Sequence, residues 1–122
     1  MSKKIVIVED DKPIAQMYEI KFVHAGYAVS TAENGLEGLV VIEKTKPDAV
    51  LLDLMMPEMG GEEMLKKLRS TEWGKNIKVV ILTNVSEEEV AKKISGYNIS
   101  GFIIKAQYTP AQVVEKIAKI LQ

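Results

Sequence analysis

Three acidic residues, a hydroxyl and a lysine occupy the same kind of position along this sequence. Each of them follows a short apolar run, and these runs are residues 5–8 before Glu9 and Asp10, 49–52 before Asp53, 77–82 before Thr83 and 102–104 before Lys105. Short apolar runs closed by polar residues are typical of buried strands. Clustered carboxylates attract a hard divalent cation such as Mg²⁺, and a hydroxyl and an ammonium suit phosphoryl oxygens. This set predicts phosphoryl transfer with Asp53 as the nucleophile.

The rest of the chain predicts the elements that would position these groups. Residues 27–31 alternate as a half-exposed strand does. Helices are expected between the strands, and their predicted first-turn caps are Asp11, Asn34, Ser86 and Thr109. Ile14, Met17, Tyr18 and Phe22 recur at helical spacing in the first helix, Leu36, Leu39 and Val40 lie along the second, and Met64, Leu65 and Leu68 point inward from a helix at 62–70. Pro57 and Gly60–Gly61 predict a turn after the third strand.

Five strands that alternate with five helices predict an α/β domain with a parallel sheet and helices on both faces. Parallel sheets bind ligands outside the carboxyl ends of their strands. If strands one, three, four and five are neighbours, the polar residues at their ends converge on one spot. We expect residues 1–122 to form this single domain, with no linker and no second domain.

Composition argues against several other classes of protein. The chain has 122 residues, 16 basic and 17 acidic, and a net charge of −1, so no basic excess favours nucleic acid or an anionic membrane surface. It has no cysteine, which excludes a disulfide framework and a thiolate metal site. No apolar run approaches the ~20 residues of a membrane helix. The N-terminus leads directly into a strand without a signal peptide, and the expected location is the cytoplasm.

Each candidate also has a purely structural interpretation. Asp11 serves mainly as a helix cap, and an isolated Asp53 would more often be a turn residue. Lys105 alone could protect a short edge strand from aggregation. His24 suits the negative end of the first helix. Met55, Met56 and Met59 could form a soft partner surface, whereas Met64 is expected in the core. The joint placement of polar groups on four strand ends favours the functional interpretation.

With these residues identified, the whole chain resembles the receiver domain of two-component response regulators (CheY-like). The matching stretches are residues 5–11, 33–39, 47–57 and 81–84, together with Lys105. The resemblance implies a (βα)5 doubly wound, flavodoxin-like fold with strand order 2-1-3-4-5. It also implies phosphorylation of Asp53 by a histidine kinase or a histidine phosphotransfer protein, with Mg²⁺ held by Glu9, Asp10, Asp53 and the backbone carbonyl of Met55.

The resemblance further implies a signalling domain that catalyses only its own phosphorylation and dephosphorylation. Thr83 and Phe102 match the positions that rearrange on activation. The implied partner is a downstream protein target or an output domain, without direct nucleic-acid binding, and the chain would be a monomer or a phosphorylation-dependent dimer.

Three residues depart from the commonest pattern of that family. Ala106 follows Lys105 where proline is usual, and a non-proline cis peptide costs about 2.5–4 kcal/mol. The sequence therefore does not decide whether the peptide bond between Lys105 and Ala106 is cis or trans. Phe102 lacks the hydroxyl that a tyrosine would bring, and Asn84 stands where a small residue is more usual.

Rival functions fit the sequence less well. A flavin- or nucleotide-binding module would need a phosphate loop rich in Gly, Ser or Thr after the first strand, and three acidic residues, 9–11, fill that place. A phosphatase with an Asp nucleophile usually needs a second acid two residues later, where this chain has Met55. The remaining alternative is a receiver-like interaction module with little or no phosphorylation.

Overall fold

The computed structural model describes residues 2–56, 58–94 and 96–122, so Pro57 of the predicted turn lies outside the described residues. The elements are β1 (Lys4–Val8), α1 (Lys12–His24), β2 (Ala28–Ala32), α2 (Gly35–Thr45), β3 (Ala49–Leu52), α3 (Gly61–Arg69), β4 (Lys78–Thr83), α4 (Glu87–Ile94), β5 (Gly101–Ile104), a short 3₁₀ helix (Lys105–Gln107) and α5 (Pro110–Ile120). These are the predicted strands and helices, with ends displaced by about one residue.

The five strands form one parallel sheet in the order β2-β1-β3-β4-β5. This is the strand order that the resemblance implied, and it is confirmed. Val8 pairs with Leu52, and Thr83 pairs with Ile104. The carboxyl ends of β1, β3, β4 and β5 are therefore adjacent, which is the condition for the predicted convergence.

Helices cover both faces of the sheet because the central strands are apolar on both sides. Along β1, Ile5 and Ile7 pack with α1 and α5, whereas Val6 and Val8 pack with α2, α3 and α4. All four of these side chains are at least 99% buried. The result is a three-layer α/β domain, as predicted.

The helix starts are fixed by the predicted caps. Asp11 accepts a hydrogen bond from the Ile14 N–H at 3.2 Å, and Asn34 accepts one from the Glu37 N–H at 2.8 Å. Ser86 accepts from the Glu89 N–H at 3.3 Å. At α5, Thr109 and Gln112 form the reciprocal capping box with distances of 3.2 and 2.8 Å. These caps satisfy N–H groups that have no partner within the helix.

Helical spacing predicted the helices better than it predicted their buried sides. Met17 is 40% exposed although its spacing grouped it with the buried Tyr18 and Phe22. Leu36 and Val40 are also exposed, because α2 packs through Gly35, Gly38 and Ile42. The small glycines let α2 approach the neighbouring chain closely; a Cβ at Gly38 would lie 3.0 Å from the Met64 sulfur. Met64 is fully buried, as predicted.

Within the described residues, no helix combines the length and the apolar character that crossing a membrane requires.

Candidate functional site

The strand ends bring the predicted acidic residues together. Glu9 follows β1 and Asp53 follows β3, and both are buried, with 2% and 6% exposure. Asp10 is exposed beside them. One carboxylate oxygen from each of the three residues lies within 4.8 Å of the others. Oxygen donors at this spacing suit a hard divalent cation such as Mg²⁺, which would also relieve the repulsion between the carboxylates.

Lys105 is the cation of this acidic cluster. Its Nζ donates to Glu9 Oε1 and to Asp53 Oδ2, the latter at 3.2 Å. The lysine side chain is itself only 12% exposed. Because it contacts two carboxylates that lie 96 and 52 residues away in the sequence, Lys105 ties β5 to β1 and β3. It is not merely a charged residue that protects an edge strand.

Burial and the neighbouring charges shift the pKa values of Glu9 and Lys105. Burial raises the pKa of Glu9 to about 7, and the hydrogen bond from Lys105 opposes this shift while the charge of Asp53 adds to it. For Lys105, burial alone would lower the pKa, but the hydrogen bond and charges of Glu9 and Asp53 outweigh burial and raise it. Lys105 therefore stays protonated, whereas burial and the charge of Asp53 favour the protonated form of Glu9.

Hydrogen bonds from the backbone orient the side chains of Asp53 and Thr83. Asp53 Oδ1 accepts from the Met55 N–H at 3.2 Å, and Thr83 Oγ1 accepts from the Val85 N–H at 3.3 Å. The chain then folds back so that the Gly61 N–H donates to the Leu54 carbonyl at 3.1 Å. A Cβ on Gly61 would stand 2.4 Å from the Asp53 carbonyl oxygen. Glycine is therefore required where α3 begins, and this close approach sets the backbone beside Asp53.

These groups open onto a cleft of about 530 Å³ at the carboxyl edge of the sheet. The cleft is lined by Asp53, Met55, Thr83, Asn84, Val85, Ser86, Glu89 and Lys105. Met55 is 57% exposed at its rim. A small anionic group entering this cleft would meet the Asp53 carboxylate, the Thr83 hydroxyl and the Lys105 ammonium.

Phe102, the predicted switch residue, lies on β5 opposite Ile81 of β4. Ile81 and Thr83 point to the same face of the sheet because side chains alternate along a strand. Phe102 is half-buried against the core of that face. Thr83, Ile81 and Phe102 thus lie on the same face of the sheet.

Lys116 of α5 holds Phe102 in a way that the sequence analysis missed. Its Nζ lies 6.0 Å from the centre of the Phe102 ring and donates to the Phe102 carbonyl at 3.3 Å. The same Nζ is 5.3 Å from the centre of the Tyr108 ring. No local signal marks this lysine, since its aromatic partners come from β5 and from the segment before α5.

Asn84 and Ala106, noted in the sequence only as departures, contact each other. The Ala106 N–H donates to Asn84 Oδ1 at 3.1 Å. The peptide bond between Lys105 and Ala106 is trans. Both residues adjoin a site residue, Thr83 or Lys105, and this adjacency is the one sequence signal that could have drawn attention to them.

Comparison with known proteins agrees with this geometry. A sequence model described as the response regulator receiver domain matches residues 5–118. This chain belongs to the response regulator receiver domain family. The match covers β1 through most of α5, so the receiver domain accounts for every strand and for the whole candidate site.

Two curated relatives place the same domain in longer proteins. The receiver is 33% identical to the phosphate regulon transcriptional regulatory protein PhoB of Pseudomonas aeruginosa over 124 residues, covering all of this chain and 53% of PhoB. It is 30% identical to hybrid signal transduction histidine kinase D of Dictyostelium discoideum, covering 98% of this chain and 8% of the kinase. The chain therefore spans about half of PhoB and a small part of the kinase.

Solved structures of similar length share the receiver fold. The chemotaxis response regulator CheY4 of Vibrio cholerae superposes with a TM-score of 0.89 at 27% identity, covering 98% of this chain and 99% of CheY4. A CheY-like receiver domain protein of Methanospirillum hungatei gives 0.89 at 28% identity, covering 99% and 94%. The phosphorylated phytochrome response regulator RcpA, from a cyanobacterium, gives 0.85 at 25% identity, covering 99% and 94%.

Proposed function

We propose that this receiver domain accepts a phosphoryl group on Asp53, in a reaction that depends on a divalent cation, and that phosphorylation changes the surface offered to a protein partner. One observation carries the proposal: the Asp53 carboxylate, the Thr83 hydroxyl and the Lys105 ammonium line one cleft, and the carboxylates of Glu9 and Asp10 lie close to that of Asp53. Phosphoryl transfer needs mainly positioning and charge neutralisation, and these groups provide both.

The donor set fits Mg²⁺. Glu9, Asp10 and Asp53 would hold the ion, together with the backbone carbonyl of Met55 as a predicted fourth ligand. Mg²⁺ typically takes one or two carboxylates plus phosphate oxygens and keeps several waters. When bound, it supplies positive charge to the phosphoryl oxygens and to the acidic cluster.

The chain's own residues then have distinct roles. An Asp53 carboxylate oxygen attacks phosphorus, an aspartyl phosphate bond forms, and the bond from phosphorus to the donor breaks. The donor departs with the bonding electrons as an imidazole from phosphohistidine or as acetate from acetyl phosphate. Lys105, now paired with Asp53 and Glu9, would turn to the transferred phosphoryl group. Hydrolysis of the same acyl phosphate by water would reset the domain, so its only substrate is itself.

The signal is proposed to leave through Thr83 and Phe102. A Thr83 hydroxyl drawn toward the phosphoryl group would give up the hydrogen bond that it accepts from the Val85 N–H. That movement would vacate space on the sheet face where Phe102 packs, and Phe102 would shift inward. The phosphoryl group can bias these two states only through its different contacts in each of them.

The proposed partners are a histidine kinase or a histidine phosphotransfer protein upstream, and a protein target or an output domain downstream. The relatives support both directions, since one is named a histidine kinase and another a transcriptional regulatory protein. Direct nucleic-acid binding is not part of the proposal for this chain. A monomer or a phosphorylation-dependent dimer, a single domain over 1–122 and a cytoplasmic location stay predictions.

Labelling of Asp53 tests the proposal. Incubated with Mg²⁺ and acetyl phosphate, the protein should gain one acid-stable, base-labile phosphoryl group, detected by intact-protein mass spectrometry. Asp53→Asn should take no label because its amide is not a nucleophile. The matched control is Asp48→Asn, which makes the same change at the other end of β3 and should label normally. Label persisting on Asp53→Asn would sink the assignment, and no label on the unmodified chain would favour a receiver-like interaction module.

A further inference from the structure

One hydrogen bond links the two loops that carry the site's hydroxyl and its ammonium. The Asn84 side-chain carbonyl accepts from the Ala106 N–H at 3.1 Å, across 22 residues of sequence. Asn84 directly follows Thr83, and Ala106 directly follows Lys105. The bond therefore joins the two residues that directly follow Thr83 and Lys105.

The sheet places this bond at the end of a regular ladder. Thr83 is the last residue of β4 and pairs with Ile104, the last residue of β5. Beyond this pair the strands end, the β4 chain enters the loop before α4, and the β5 chain enters the 3₁₀ helix Lys105–Gln107. The Asn84 side chain continues the connection between the two chains after the backbone pairing has stopped.

The hydrogen bond to Asn84 requires a backbone N–H at position 106. An alanine has a backbone N–H, whereas a proline has none, so the bond exists only because residue 106 is not proline. Since the donor is an N–H, the facing atom of Asn84 must be its carbonyl oxygen. The Asn84 NH₂ then points away from Ala106, in a side chain that also lines the cleft beside Asp53 and Lys105.

We propose that Asn84 is a positioning residue for the reaction at Asp53. By holding the backbone of Ala106, Asn84 fixes the start of the 3₁₀ helix and thus the direction from which Lys105 reaches Asp53. The same bond makes the Thr83 loop and the Lys105 loop move as one unit when the phosphoryl group arrives. This inference rests on the proposed phosphorylation of Asp53.

A structural measurement tests the bond itself. In the ¹⁵N-labelled full chain, amide exchange of Ala106 should be slowed by the bond, and Asn84→Ala should accelerate it several-fold. Asn84→Asp keeps an acceptor oxygen and should preserve the protection. Gln107→Ala, which shortens a neighbouring exposed side chain of the same loop, should leave Ala106 exchange unchanged. Equal Ala106 exchange in the unmodified chain and in Asn84→Ala would overturn the proposal.

A double-mutant cycle separates positioning from a general structural effect. The rate of labelling by acetyl phosphate with saturating Mg²⁺ should fall about three- to tenfold in Asn84→Ala, the range expected for one hydrogen bond. If Asn84 acts by orienting Lys105, the same substitution should cost little in a Lys105→Ala background, because the group that it positions is gone. Gln107→Ala should label at the normal rate.

The labelling rates distinguish a failure of the Asn84 proposal from a failure of the proposed function. An equal fold-loss from Asn84→Ala in both backgrounds, or no loss in either, overturns the positioning role while the phosphorylation of Asp53 stands. An unmodified chain that takes no label overturns the proposed function and, with it, the role of Asn84 in that reaction.

Discussion

Each end of the sheet holds a largely buried cation, and the partners of the two cations differ in kind. At the carboxyl end, Lys105 contacts the side chains of Glu9 and Asp53. At the amino end, Arg69 closes α3 and donates through Nη1 to the carbonyls of Gly74 and Ile77, both at 2.8 Å, and through Nη2 to the carbonyl of Asn98. One cation faces carboxylates, and the other faces backbone.

This difference in partners distinguishes the candidate functional site around Lys105 from the structural contact made by Arg69. Backbone carbonyls are neutral, do not titrate, and can be released only if the loops that carry them move. Carboxylates titrate, bind cations and act as nucleophiles. The carboxylates of Glu9 and Asp53 can therefore bind another cation in place of the Lys105 ammonium. Burial lowers the pKa of Arg69, yet a guanidinium stays charged. The comparison teaches that burial of a cation alone does not mark function; the chemistry of its partners does.

The largest expected effect on stability is at the amino end. Arg69→Met should lower the free energy of unfolding by about 2–4 kcal/mol, because three carbonyls lose a charged donor. Urea denaturation measures this loss. Lys67→Met, which removes an exposed charge from the same helical turn, should stay within about 0.5 kcal/mol. Equal losses in the two variants would mean that Arg69 contributes only charge, and the contrast with Lys105 would disappear.

The corresponding substitution at the carboxyl end, Lys105→Met, should change the rate of Asp53 labelling more than it changes the free energy of unfolding. Lys105→Met should slow labelling of Asp53 by about 100-fold, or ~2.7 kcal/mol of activation free energy. Its Mg²⁺ affinity, measured by calorimetry, should be unchanged or higher, because a neighbouring positive charge is gone. Asp10→Ala is the matched variant and should bind Mg²⁺ more weakly. If both variants lose Mg²⁺ affinity equally, Lys105 has been assigned the wrong role.

Titration sharpens the same contrast, because the carboxyl end holds a buried carboxyl group, Glu9, whose pKa is raised. Without divalent cations, the pKa of Glu9 is raised from 4.5 to about 7 on folding. Between those pH values the folded state binds more protons than the unfolded state, so stability falls as pH rises. We expect a loss of about 2 kcal/mol from pH 5 to 7.5 in EDTA, measured by urea denaturation. Glu9→Gln should remove most of this slope, and an unchanged slope would contradict the assignment.

The smallest effect concerns a third cation, Lys116, which contacts the rings of Phe102 and Tyr108 and the Phe102 carbonyl. Lys116→Met should shift the rotamer populations of Phe102 by about two- to fivefold, since a cation–π contact is worth about 0.5–1 kcal/mol. Chemical shifts of the Phe102 ring, with and without beryllofluoride, report this change. Lys119→Met, on the exposed side of α5, is the control. Identical Phe102 shifts in all three proteins would show that Lys116 does not restrain Phe102.

Much of the candidate site could be predicted because its residues sit at local boundaries. Asp53 and Thr83 each end or follow an apolar run, and a parallel sheet brings such ends to one edge. The same local logic identified the capping residues of α1, α2, α4 and α5. The partners of Lys105 required more, since Glu9 lies 96 residues away and pattern alone cannot specify which carboxylate a lysine contacts.

The sequence by itself determined the order and type of the elements, the parallel α/β class and the group of polar strand ends, because apolar period and capping chemistry are encoded within a few residues. Only the tertiary structure decided which helix faces are buried, which leaves Met17, Leu36 and Val40 exposed. It also decided the partners of Arg69, Lys116 and Asn84. Those contacts join residues from separate elements. They form only when packing brings the two elements to the right distance.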